Sequence, residues 1–173
     1  MSNNLLKGKR GIIFGALNDM SIAWKVAERA QEEGATFTLT NAPIAMRMGA
    51  INDLAEKTNS EVIPADATSV EDLKHLFEKS QEILGGKVDF VLHSIGMSPN
   101  VRKKKSYTGL NYEWYKQTLD VSAMSLHKTL QVAYDMDALN NWGSVLALTY
   151  IAAQRIFPDY NDMADAKSLL ESI

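Results

Sequence analysis

The sequence predicts a doubly wound α/β fold of the Rossmann type, a parallel sheet with helices on both faces. Three observations predict it. Short apolar runs and amphipathic stretches alternate five times along the chain. The runs are apolar throughout, as suits strands buried on both sides. The links between them are short, and right-handed crossovers then place the strands in one sheet.

The elements follow in order. Arg10-Gly-Ile-Ile-Phe14 is a strand closed by Gly15. Ser21 to Glu33 carries Ile22, Ala23, Val26, Ala27 and Ala30 at helical spacing, with Ser21 as N-cap and Gly34 as stop. Ala35 to Thr40 is rich in β-branched residues and reads as a second strand. A weaker helix is expected around Met46 to Lys57, and a short third strand over Glu61-Val-Ile-Pro64. Ser69 to Leu84 is an amphipathic helix with Val70, Leu73, Leu76, Phe77 and Ile83 on one side, ended by Gly85-Gly86. Val88 to His93 is a fourth strand, followed by a basic loop from Ser98 to Gly109. One long helix is expected from about Asn111 to Leu139, then a fifth strand from Gly143 to Tyr150, then a helix beginning at Pro158.

Composition bounds the function classes. The chain has 173 residues, 46% hydrophobic, 23% charged and 8% aromatic. Those values suit one globular domain and exclude disordered, collagenous and coiled-coil classes. Eighteen Lys plus Arg stand against 21 Asp plus Glu, a net charge of −3. Such a balance is a poor match to a nucleic-acid backbone. Cysteine is absent, which removes disulfides, thiolate zinc sites and cysteine nucleophiles. His75, His93 and His127 lack metal-ligand spacing, so no metal site is expected. No apolar run reaches the ~18 residues of a membrane span. Met1 to Arg10 has no secretion-signal pattern, so an intracellular, cytoplasmic protein is expected. The last helix has no stop signal, and Leu169, Leu170 and Ile173 remain in apolar register. A dinucleotide fold has two mononucleotide halves and only five strands are visible, so residues 1–173 read as a single domain incomplete at its C-terminus.

The first turn, Gly15-Ala16-Leu17-Asn18-Asp19-Met20-Ser21-Ile22-Ala23, lacks a strict G-x-G-x-x-G. It still meets the physical needs of a phosphate grip. Gly15 permits close approach, Ser21 opens a helix whose free N–H groups favour an anion, and Ala23 is small enough for close packing. The same residues also suit an ordinary β–α turn with a serine cap. The second strand ends in Thr40-Asn41-Ala42-Pro43, with no acid for a ribose and with Arg47 nearby, so these residues leave NADH and NADPH both open. Tyr160 and Lys167 are seven apart, about two turns or ~700° of helix, which puts both on nearly one face. An ammonium beside a phenol lowers the phenol pKa and makes it a usable acid or base. Tyr150 closes the fifth strand, at the end of the sheet where ligands bind.

Four segments stand in one order: Gly15 to Ala23, His93-Ser-Ile-Gly96, Leu148-Thr-Tyr150 and Tyr160-Asn-Asp-Met-Ala-Asp-Ala-Lys167. Together they resemble the NADH-dependent enoyl-acyl-carrier-protein reductases of bacterial fatty acid synthesis, a divergent branch of the short-chain dehydrogenase/reductases. The Leu148–Lys167 wording looks most like the Bacteroides-type enzymes. The resemblance implies reduction of the trans-2 double bond of an enoyl chain on acyl carrier protein, with NADH favoured and NADPH still open. It implies that Tyr160 binds the thioester carbonyl and stabilises the enolate, and that Lys167 holds the nicotinamide ribose. Tyr150 takes the place of the usual catalytic serine and lines the acyl pocket. Gly15, Ala16, Ser21 and Ile22 would meet the pyrophosphate and ribose, Asp66 and Ala67 the adenine, and Ile95 and Gly96 the nicotinamide. Met97 would border the substrate.

It also implies a homo-oligomer, a tetramer, packed through the long helix, whose Val121, Ala123, Met124 and Ser125 are small or apolar on several faces. Ala164 and Asp165 depart from the family's Gly and apolar residue, and Trp142 from its small turn residue. The missing portion supplies further strands and a lid in the family. A chain ending at Ile173 is therefore expected to be inactive alone, and a catalytically silent nucleotide-binding fragment is the alternative function. Arg102-Lys-Lys-Lys105 suits a solvated loop, or a rim that steers an acidic carrier.

Overall fold

Arg10–Phe14 forms β1 in the computed structural model, which describes residues 3–47 and 50–173. The other strands are β2 (Thr36–Thr40), β3 (Glu61–Val62), β4 (Val88–His93) and β5 (Leu139–Ala147). The described residues make one sheet in the order β3-β2-β1-β4-β5, and every pairing is parallel. Side chains alternate across a strand, so Ile12 and Phe14 enter one core and Ile13 the other. One face packs against α4 (Val70–Leu84) and α7 (Ser125–Asp135) through Leu73, Leu76, Phe77 and Val132. The other face packs against α1 (Ile22–Glu32) and α3 (Ala50–Thr58) through Trp24, Ala27 and Leu54. This is the doubly wound parallel sheet expected from the sequence.

Several boundaries differ from expectation. Ser21 has extended backbone at the start of α1 but makes no side-chain cap. The weak second helix is α2 (Pro43–Met46) followed by α3, and Met48 and Gly49 lie outside the described residues. On α4, Val70 and Ile83 are exposed, and the buried stripe is Leu73, Leu76, Phe77 and Ser80. Ser80 belongs there because its hydroxyl pairs with Thr38 Oγ1 at 2.8 Å inside the core. The basic loop contains α5 (Pro99–Arg102) and a 3-10 turn at Tyr107–Gly109.

The single long helix is three pieces: α6 (Tyr112–Leu119), a π turn over Asp120–Met124, and α7, which stops at Asp135. A π turn inserts one residue into the helical register. Here Ser125 Oγ donates to Val121 O at 2.7 Å, a local bond to the main chain within the distorted stretch. The fifth strand begins at Leu139 rather than Gly143 and passes through an irregularity opposite Val88–Phe90, where Trp142 is left-handed (φ 65°) and fully exposed. It ends at Ala147, so Tyr150 lies beyond the strand. The last helix, α8, spans Asn161–Ser172. Among the described residues no helix is long and apolar enough to cross a membrane, and no group of three or more His, Asp or Glu could hold a metal ion.

Candidate functional site

Chain direction across the sheet reverses between β1 and β4. From β1 the chain moves outward to β2 and β3, then returns to the opposite side of β1. Loops leaving the C-terminal ends of these two strands must part, and the opening is where ligands sit in such sheets. Gly15 leaves β1 there with φ 83°, and Gly15 N donates to Thr40 O at 3.0 Å. A Cβ on Gly15 would lie 1.8 Å from Ser94 O. Only glycine permits this backbone contact. Ala16 is fully buried behind the turn. Ser21 Oγ receives Leu17 N at 3.3 Å and donates to Asn18 O at 2.7 Å, so it shapes the turn instead of capping α1. The first N–H groups of α1, at Ile22 and Ala23, have no intrahelical acceptor. The Ile22 side chain is exposed.

A cleft between the loops gathers Gly15, Ala42, Asp66, Ala67, Ile95 and Val121. The exposed Asp66 carboxylate accepts from Thr68 N at 2.9 Å and Thr68 Oγ1 at 2.7 Å. Ala67 is buried in the wall of this cleft.

The second part of the site lies past β4 and β5. Lys167, on α8, is buried, and its ammonium donates to Ile95 O at 3.1 Å and to Leu148 O at 2.8 Å. Burial pushes its pKa down to about 8. A Cβ on Gly96 would touch Lys167 Nζ at 3.8 Å and Met163 Cε at 3.7 Å, so Ile95, Gly96 and Lys167 form one wall. Met97 is held through its backbone: Met97 N donates to Ser122 Oγ at 2.9 Å, and Ser122 Oγ donates to Met97 O at 3.1 Å. The Tyr150 ring stands 4.9 Å from the Tyr160 ring and 5.2 Å from Phe157, centroid to centroid.

Two expectations about Tyr160 are corrected. Tyr160 is the residue before α8, and left-handed Asp159 (φ 63°) and Asn161 (φ 45°) flank it, so the helical-face argument does not describe its direction. Its phenol pKa is raised rather than lowered, by burial first and by Tyr150 second. The physical reason is that burial disfavours the phenolate and that the neighbouring Tyr150 disfavours it further. His93 is fully buried, with Nε2 2.8 Å from Ser125 Oγ.

Sequence reasoning missed the Ser122 clamp and a buried carboxyl, Asp162, surrounded by Ser98, Asn100 and Thr118. Four Ser/Thr hydroxyls in the long helix, Thr118, Ser122, Ser125 and Thr129, were the available signal, since such residues at buried positions need partners.

The arrangement fits a dinucleotide. A glycine turn without room for a Cβ admits phosphate to the backbone, a helix of 11 residues opens beside it, and a small cleft walled mainly by apolar side chains lies next to the turn. A buried ammonium with two carbonyl partners stands at the far end, ready to meet hydroxyls. The Tyr160 phenol, against the Tyr150 ring, is a hydrogen-bond donor suited to a developing oxyanion.

The family model described as enoyl-(acyl carrier protein) reductase matches residues 15–173. The enoyl-[acyl-carrier-protein] reductase [NADH] FabI of Rickettsia conorii is 32% identical over 176 residues, covering 99% of this chain and 65% of the relative. The crystal structure of FabI from Alistipes finegoldii is 65% identical, with a TM-score of 0.95 over 98% of this chain and 65% of that one. The FabI–NADH complex from the same organism gives a TM-score of 0.96 at 65% identity, over 98% of this chain and 60% of that one. The chain thus spans about 65% of the length of the curated relative it matches. On the family match and the shared fold, this chain belongs to the enoyl-(acyl carrier protein) reductase family.

Proposed function

We propose that this protein reduces the trans-2 double bond of an enoyl chain carried as a thioester on acyl carrier protein, using NADH in preference to NADPH. The observation that carries the reading is the Tyr150–Tyr160 ring pair at 4.9 Å, just past β5 and two residues beyond Leu148, whose carbonyl takes the Lys167 ammonium. The NADH named with the Alistipes structure and in the curated relatives supports the cofactor. Gly15, Ala16, Ser21 and Ile22 hold the pyrophosphate side, Asp66 and Ala67 the adenine, and Ile95, Gly96 and Lys167 the nicotinamide end. The bound dinucleotide supplies hydride to the β-carbon.

The chain's own residues do the rest. Tyr160, kept protonated by burial, donates a hydrogen bond to the thioester carbonyl as negative charge gathers on its oxygen. Tyr150 packs its ring at a tilt of 51° against that of Tyr160 and so helps to position it. Met97, gripped by Ser122, borders the acyl chain. Residues 1–173 form one dinucleotide-binding domain, the protein assembles as a homo-tetramer through α6 and α7, and it works in the cytoplasm on a carrier-bound substrate.

The test is NADH oxidation by the full-length protein with a crotonyl thioester. NADH consumption, much slower with NADPH and lost in Tyr160→Phe, is expected. Turnover of a ketone in place of the enoyl thioester overturns the reading.

A further inference from the structure

We propose that Asp162 is a positioning residue: its buried carboxyl group gathers Ser98, Asn100 and Thr118 and thereby fixes the turn that presents Tyr160. The inference deepens the reading above and rests on it for its catalytic consequence.

Asp162 is fully buried, in the first turn of α8. Ser98 Oγ donates to Oδ1 at 2.7 Å and Asn100 Nδ2 to Oδ2 at 3.0 Å, while Thr118 Oγ1 lies 2.7 Å from Oδ2 and 2.8 Å from Trp114 O, two acceptors for its one proton. All three partners are buried as well. Each belongs to a different part of the surrounding structure. Ser98 caps α5, its Oγ accepting from Val101 N at 3.0 Å. Asn100 clamps both main-chain groups of Asn111, at 3.0 and 3.1 Å, and so closes the basic loop. Thr118 lies on α6. One side chain therefore joins α5, the loop, α6 and the start of α8.

The place where they meet is conformationally expensive. Tyr160 sits between two left-handed non-glycine residues, Asp159 and Asn161. Such residues persist where neighbouring contacts over-determine them. Asn161 Nδ2 reaches Lys105 O at 2.7 Å, on the loop that Asn100 closes. Lys167, five residues after Asp162, fixes α8 against β4 and β5. Asp162 supplies the other anchor, two residues from the phenol. A buried acid met only by neutral donors is costly beside an apolar residue of equal size. The return is the geometry of the turn.

The test uses Asp162→Asn in the full-length protein. The change keeps volume and replaces one carboxylate oxygen by an amide donor, which at the Oδ2 position meets the Asn100 amide donor head on. Per folded molecule, kcat for the enoyl thioester is expected to fall about tenfold or more, since small misplacements cost that much. KM for NADH should change less than about twofold, because the dinucleotide contacts lie elsewhere. A second readout needs no activity: the NMR cross-peak between the Tyr150 and Tyr160 rings should weaken. Unchanged kcat and an unchanged cross-peak, with only a lower Tm, overturn the proposal and leave Asp162 a plain stability residue. If Asp162→Asn does not fold, Thr118→Val removes one donor and is read the same way. If the unmodified protein does not reduce enoyl thioesters, the reading of function fails separately and the ring cross-peak alone decides the role of Asp162.

Discussion

His93 makes a sharp pH prediction. Its ring is fully buried between Phe14, 6.1 Å away, and Ser125 Oγ at 2.8 Å from Nε2. Burial first, and the positive charge of Lys167 second, lower its pKa from 6.5 to about 4. The folded state therefore holds a neutral imidazole where the unfolded chain binds a proton. Between pH 6.5 and 4 the unfolded state carries more protons, so stability is complete above this window and is lost as pH falls through it. At about 1.4 kcal/mol per pH unit, the loss is roughly 3 kcal/mol. Urea unfolding at closely spaced pH values, compared with His93→Gln, isolates the effect, because carboxylates titrate in both proteins. The glutamine keeps a partner for Ser125 and cannot protonate. The two stability curves should converge as the pH falls toward 4. Parallel curves refute the assignment of a neutral, buried imidazole.

Three further outcomes follow from other parts of the fold. Gly15→Ala forces a Cβ to within 1.8 Å of Ser94 O at a φ of 83°, so dinucleotide affinity measured by calorimetry should drop about tenfold or more; unchanged affinity contradicts the phosphate turn. Replacing Lys103, Lys104 and Lys105 by glutamate should slow turnover of carrier-linked substrate at low salt, mainly through association rate, and spare a small neutral thioester; equal loss for both rejects carrier steering. Trp142→Gly relieves a left-handed, fully exposed tryptophan and should raise stability by up to about 1 kcal/mol in denaturant unfolding; a loss reveals packing on that ring.

The sheet was legible because its signals are local. Ile12, Ile13 and Phe14 are apolar in sequence and buried on alternate faces in the structure, and β4 has the bounds its composition suggests. Element ends were less legible. Gly143 looks like a strand start, but β5 runs through a bulge from Leu139 because Trp142 takes a backbone conformation that its residue type disfavours. The site divides in the same way. The turn at Gly15 and the place of Gly96 after β4 follow from local sequence. The raised pKa of Tyr160 does not, because it comes from burial and from Tyr150, ten residues earlier, which only the fold brings against it. Asp162 stands in the first turn of α8 and is fully buried. Its burial depends on donors 64, 62 and 44 residues distant, which no local pattern contains.

The π turn at Asp120–Met124 sets the phase between two halves of what is otherwise one rod. One inserted residue turns everything downstream by about 100° relative to a continuous α-helix. Thr118 on α6 can then face Asp162 on α8, Ser122 can reach the Met97 backbone, and Val132 on α7 can enter the core beneath the sheet. Deleting a single residue here would swing α7 out of its socket or rotate Thr118 away from Asp162. Outside the buried Ser122 and Ala123, this stretch should therefore accept exchanges of side chain far more readily than any change in its length.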